Sequence, residues 1–457
     1  MILLDNTIVN VALPSIQREL GVTPGNLEWV VNAYVLALAA LILVGGTLGD
    51  RYGRRRVFVI GIAIFTVGSA ACALATDDPQ LIGFRALQGA GAALMAPLAL
   101  SIIVDAYPDA EQRTGAIGIW AAAAGLGFGA GPIVGGILLA LFDWSAIFWV
   151  NVPVGLVTAA LTLAAVRESR NPDARRLDPL GAALAAAAMF LLTYALIETN
   201  EHPWGSAYTL GLLAAAAALL AAFVAWEHRS SHPMVELALF RSRTFVAGSV
   251  VYGLAYLGLA GMFFFVTLYL QNVRGWSPLA TGLSWLWLNV PFLVVSPFAG
   301  RIGGLLGSAR TSALGALLAA AGMATLAVIA IDAPFAQIAA GFVLLGLGYG
   351  LIAPAVPAAT LSAVPAAQSG VGSGILNSSR QLAAAAGLAI LGSVGVGAVS
   401  RSWHGPDALV QRVAGGQVAA GHDAFMAGVH AALWTGTAVL IAAALLGARG
   451  LRRAVPR

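Results

Sequence analysis

Long apolar runs separated by short polar turns set the pattern of this chain. Windows of about 20 residues place apolar spans at 1–16, 29–48, 57–75, 81–104, 115–142, 147–166, 180–197, 208–226, 245–270, 279–298, 312–331, 335–364, 370–399 and 424–446. That predicts fourteen membrane-spanning helices. The segment 125–136 stands out because six glycines and Pro132 fall within an uncharged run. Each interior glycine costs about 1 kcal/mol against alanine and a proline about 3, so helix propensity does not hold this segment. A membrane does, because the backbone there must bond internally. Gly127, Gly131 and Gly135 recur every fourth residue and would let a neighbouring helix approach closely.

Composition changes the picture little. The chain of 457 residues is 59% hydrophobic and 10% charged, with a mean hydropathy of +0.86 that ordinary soluble domains do not reach. A net charge of +4 does not point to nucleic acid, because all 24 basic residues are arginine and most lie between spans. Alternating the spans puts 18 arginines on one side and 4 on the other, with Arg85 and Arg380 inside spans. This asymmetry predicts a multi-pass protein with both termini in the cytoplasm, and no nucleic-acid partner. Cys72 is the single cysteine, which excludes an intramolecular disulfide and a CxxC metal or redox site. No metal or cofactor site is expected. Span 1–16 rises only about 24 Å, so the expectation is that either the start codon is placed late or the natural chain begins upstream.

Chemistry concentrates in a few places. The first inside turn reads Gly46-Thr-Leu-Gly-Asp50-Arg51-Tyr-Gly53-Arg54-Arg55-Arg56, an acid beside four bases. For a generic membrane protein it reads as a positive-inside turn, but the order of its residues resembles the G-x-L-x-D-R-x-G-R-R signature of the major facilitator superfamily. The fourth span carries Arg85-Ala-Leu-Gln88-Gly89 and the fifth Gly127-Phe-Gly-Ala-Gly131-Pro132-Ile-Val-Gly135-Gly136. Leu4-Asp5-Asn-Thr7, Trp144-Ser-Ala-Ile-Phe148-Trp-Val-Asn151, the run from Pro233 to Phe245, and Asn377-Ser-Ser-Arg380-Gln381 complete the set. Through these motifs the whole chain resembles the fourteen-span drug:proton antiporter branch of that superfamily.

The resemblance implies an all-α membrane fold. Residues 1–166 and 243–457 would form two six-helix bundles around a central cavity, with two extra helices in 167–242. It implies a proton-driven antiporter in a bacterial cytoplasmic membrane, with the proton gradient in place of a cofactor. The cargo would be hydrophobic or cationic drugs or a related natural product, and a monomer is expected. Gly46, Asp50, Arg51, Gly53, Arg54 and Arg55 would form a conformational switch loop. Gly127, Gly131, Pro132, Gly135 and Gly136 would form the antiporter motif, with Pro132 supplying a bend.

Asp5 is the one carboxylate well inside a span. Intramembrane ionisable groups are candidates for function, and Asp5 with Arg85 is the expected proton-coupling pair. A structural clamp is the competing reading of both residues. Asn32, Asn151, Asn289, Arg380 and Gln381 are candidate cavity polar groups, although neutral polar residues in spans are often helix glue. Trp285 and Trp287 lie two apart, so at most one is expected to face the cavity. An uptake symporter or facilitator of the same fold is the alternative. A membrane-embedded enzyme is disfavoured by the lack of HExxH, GxSxG or a carboxylate pair within a span.

Overall fold

A computed structural model describes residues 1–20, 24–170, 178–199 and 202–451. The described residues are helical and connecting, with no strand among them. In order the helices are α1 (Ile2–Leu20), α2 (Pro24–Tyr52), α3 (Arg54–Ala73), α4 (Asp78–Ala106), α5 (Ala110–Leu141), α6 (Ala146–Trp149), α7 (Asn151–Ala165), α8 (Pro179–Glu198) and α9 (Ala207–Arg229). There follow α10 (Arg243–Leu268), α11 (Pro278–Ser284), α12 (Leu286–Val295), α13 (Ala299–Leu306), α14 (Ser308–Leu326), α15 (Phe335–Leu361), α16 (Ser369–Ser402), α17 (Val410–Ala414) and α18 (His422–Gly450).

Among the described residues, twelve helical segments are long and apolar enough to cross a membrane, and Ile2–Leu13 is a shorter apolar one. α5 runs through the glycine-rich segment for 32 residues. Fourteen therefore remains the number expected from sequence. Capping follows local rules. Asp77, Asp178, Ser206 and Ser277 each accept a backbone N–H from the residue three positions on, which satisfies a donor the helix start leaves open.

The chain divides into two compact units. The first comprises Met1–Pro108, Gly127–Ser242 and Leu361–Ser378. In it α4 packs on both α2 and α3, α7 on α3, and α8 on both α2 and α9. The second part of α5 lies against α1: a Cβ at Gly131 would collide with the Thr7 side chain, and one at Gly135 would stand 2.9 Å from Ile8. Close approach is what these glycines permit. Gly127 is looser, 3.6 Å from the Leu4 nitrogen, and Gly136 has nothing within 4 Å. The side chain of Pro132 lies outside the described residues.

The second unit comprises Asp109–Leu126, Arg243–Thr360 and Ser379–Arg457. Here α18 packs on α10 and α14. The hydrophobic run expected over 279–298 is broken by Trp285 and again by the short turn Ser296–Phe298, and continues to Leu306. Pro291 and Pro297 lie within this stretch, and each removes a backbone donor from the helix ladder. The outer connection 400–423 is folded rather than open. Val413 and Ala414 pack with Val399 and Ala424, and Asn272 Nδ2 donates to the Gly415 carbonyl at 2.6 Å.

Candidate functional site

Two polar clusters are buried in the first unit. The inner one is built on Asp5, which α1 presents fully buried. Arg85 Nη1 on α4 donates to Asp5 Oδ2 at 2.6 Å, and neither side chain is exposed. Gln88, one turn further along α4, donates to Asp5 Oδ1 at 2.8 Å, and Asn151 from α7 donates to the same oxygen at 2.9 Å. Ser69 on α3 accepts from Gln88 at 3.2 Å and from Asn151 at 3.1 Å, while donating to the Phe148 carbonyl at 2.9 Å.

The guanidinium of Arg85 is itself over-determined. Nε donates to the Val30 carbonyl of α2 at 2.9 Å, Nη1 also reaches Gln88 Oε1 at 2.6 Å, and Cζ sits 4.4 Å from the centroid of Tyr34. Five helices thus converge on one carboxylate. Both carboxylate oxygens of Asp5 accept, Oδ2 from Arg85 and Oδ1 from Gln88 and Asn151. Arg85 Nη2 and Asn151 Oδ1 are buried without a hydrogen-bond partner among the described residues.

The second cluster joins the helix ends that the alternation of spans puts on the arginine-rich side. α2 and α3 are separated by Gly53 alone, at φ +109°, a conformation that side chains rarely adopt. The turn brings Asp50 beside Arg54, whose Nε and Nη2 donate to Asp50 Oδ1 at 3.0 and 2.9 Å. Asp50 also caps α16, accepting the backbone N–H groups of Gly370 at 3.0 Å and Val371 at 2.9 Å. A carboxylate at that place satisfies open donors and meets the positive end of the helix dipole.

Arg54 is only 2% exposed, although the sequence reads as a solvated basic turn. It is buried because Asp50, Asp105 at 3.1 Å and the Ala366 carbonyl at 2.6 Å together take up its donors. Glu168 receives the backbone N–H groups of Arg55 and Arg56 at 3.1 and 3.2 Å. Gly46 is required by proximity, since a Cβ there would strike the Gly370 carbonyl. Arg51 lies over the ring of Tyr52, 5.4 Å from its centroid.

The other expected polar groups do not gather at either cluster. Asn32 is half-buried on α2. Asn289 turns its amide back to the Trp285 carbonyl at 3.1 Å, one turn earlier in the chain. Arg380 and Gln381 are half-buried in the second unit. Trp285 is buried between Phe263 and Phe342, with ring centroids 4.5 and 4.6 Å away, whereas Trp287 is exposed. Ser69, Asp105 and Glu168 escaped sequence reasoning. Ser69 sits in a run of small residues, and the two acids read as ordinary loop charge.

Residues 1–388 match the Major Facilitator Superfamily. The chain belongs to that family. Among curated relatives, it is 39% identical over 394 residues to the multidrug resistance protein Stp of Mycobacterium tuberculosis (strain CDC 1551 / Oshkosh), covering 86% of this chain and 73% of that protein. It is 38% identical over 393 residues to the tetracenomycin C resistance and export protein of Streptomyces glaucescens, covering 86% and 73%. The structure of the proton:xylose symporter XylE superposes with a TM-score of 0.66 at 15% identity, over 96% of this chain and 91% of that one. The last likeness concerns the fold alone. As a superfamily member the protein is a multi-pass membrane transporter and not an enzyme.

Proposed function

We propose that the protein is a proton-driven antiporter that exports a hydrophobic or cationic drug or a related natural product across a bacterial cytoplasmic membrane by alternating access. Relatives named for drug resistance and antibiotic export support the direction and the cargo class. The observation that carries proton coupling is the buried Asp5 carboxylate, held by Arg85, Gln88 and Asn151. A proton arriving at Asp5 would cancel its charge, leave Arg85 without a counter-ion and turn acceptor oxygens into partial donors. Helices α1, α4 and α7 would then lose the carboxylate bonds that join them. That gives the proton a differential effect on two conformations, which any coupled transporter requires.

The Asp50 cluster supplies the second half of the cycle. The cap on Gly370 and Val371 would hold the start of α16 in one conformation and release it in the other, as the motif of the first inside turn implies. The experiment is transport in everted membrane vesicles. Substrate accumulation that follows an imposed proton gradient is expected, whereas equilibration indifferent to the gradient would replace antiport with facilitation.

A further inference from the structure

Among the described residues of the second unit, Arg380 is a charge within a span that has no ion-pair partner. Arg380 is half-buried in α16, well inside the span, and a guanidinium stays protonated at any physiological pH. Among the described residues it forms neither an ion pair nor a hydrogen bond. Its guanidinium lies over the ring of Tyr256, with Cζ 5.2 Å from the centroid. Tyr256 belongs to an aromatic group with Tyr252 at 5.0 Å and Tyr349 at 6.4 Å, both set steeply to it. Two of its rings are enclosed: Tyr349 donates to the Ala255 carbonyl at 2.5 Å, and both Tyr252 and Tyr349 are buried. α10 and α16 meet closely here, because a Cβ at Gly253 would touch Ala383 at 3.3 Å and one at Gly387 would strike the Leu257 carbonyl.

No carboxylate of this unit serves Arg380. Its five acids, Asp109, Glu111, Asp332, Asp407 and Asp423, lie in connections or at the first turn of a helix. Arg85 in the first unit is the contrast, since it has Asp5 at 2.6 Å. An intramembrane charge is expensive unless paired, and among the described residues Arg85 has a carboxylate partner where Arg380 has none.

We propose that the partner arrives with the cargo: Arg380 and Tyr256 form a subsite for an aromatic compound bearing a carboxylate or an acidic phenol. The guanidinium fork suits a planar oxyanion, and the tyrosine rings offer edge and face contacts to an aromatic body. This rests on the exporter reading and narrows it, from hydrophobic or cationic compounds to ones that carry an acidic group.

The test is dye binding to the purified full chain in detergent, read by fluorescence anisotropy with no gradient present. Fluorescein, with an aromatic carboxylate and an acidic phenol, is set against the aromatic cation ethidium. Wild-type protein is expected to bind fluorescein the more tightly. Arg380→Gln is expected to weaken fluorescein at least about tenfold, as loss of a charge-assisted bond does, and to leave ethidium within about twofold. Arg380→Lys, which keeps the charge and lacks the fork, is expected to fall between, and Tyr256→Leu to weaken fluorescein as well. Wild-type preference for ethidium, binding of neither dye, unchanged fluorescein affinity in Arg380→Gln, or equal loss of both dyes in the Gln and Lys variants would each overturn the proposal. Fluorescein binding that depends on Arg380, in a protein whose transport ignores the proton gradient, would instead overturn antiport and leave the subsite standing.

Discussion

At the residue scale, the informative feature of Asp5 is the number of groups that hold it. Asn at this position keeps the size of the side chain and removes its charge and its proton. Asp5→Asn is therefore expected to insert and fold but to reduce gradient-driven efflux in everted vesicles to the level of membranes without the protein. Retained efflux would place the proton elsewhere. Arg85→Ala is expected to behave differently, because it strands a buried carboxylate. Breaking a buried pair from one side costs about 3–5 kcal/mol, so this variant should lose thermal stability in detergent, and Asp5→Asn combined with Arg85→Gln should recover part of it. The pairing of Asp5 with Arg85 was legible in the sequence as two rare intramembrane charges. The contributions of Ser69 and Gln88 were not, since neutral polar residues are common in spans and only packing brings Gln88 of α4 to the Asp5 carboxylate and Ser69 of α3 to Gln88 and Asn151.

At the scale of elements, the glycine-rich part of α5 separates two kinds of glycine that look alike in sequence. Gly131 faces Thr7 and Ile8 of α1, while Gly136 faces open space. Gly131→Ala is expected to cost about 1–3 kcal/mol, the usual penalty for overpacking, and to lower both thermal stability and transport. Gly136→Ala is expected to be neutral or to stabilise by up to about 1 kcal/mol through helix propensity. Similar losses in both variants would show that α5 does not pack on α1 through this face. The fourfold spacing of Gly127, Gly131 and Gly135 did announce a close helix neighbour. It could not name α1, because spacing reports which residues share a face and nothing about what covers it. Hydropathy likewise found the run over 279–298 but not its breaks at Trp285 and Ser296, since an apolar average is blind to where the backbone ladder is interrupted.

At the scale of the whole molecule, the order of spans was readable because each must be about 20 apolar residues long, while the clustering of helix ends was not. Asp50, Arg54, Asp105, Glu168, Ala366 and Gly370 are far apart in sequence, yet the alternation of spans assigns every one to the arginine-rich side, and they meet in one network. The arginine asymmetry of the sequence predicts that this side, with both termini, is cytoplasmic; a green fluorescent protein fused after Arg457 is then expected to fluoresce, as it does only when it folds in the cytoplasm, and a dark fusion would reverse the orientation. The network also predicts where the conformational cycle is held. Asp50→Ala removes the acceptor from the Gly370 and Val371 amides and the counter-ion from Arg54, which is nearly inaccessible to water. The first turn of α16 should then open more often, and faster amide hydrogen exchange is expected over 366–372, with exchange in α10 and α18 unchanged. Gly46→Ala would disturb the same place sterically while keeping the carboxylate. If that variant loses transport with normal exchange and Asp50→Ala shows no faster exchange, the cap does not hold α16, and the switch must lie in the Arg54–Asp105 pair.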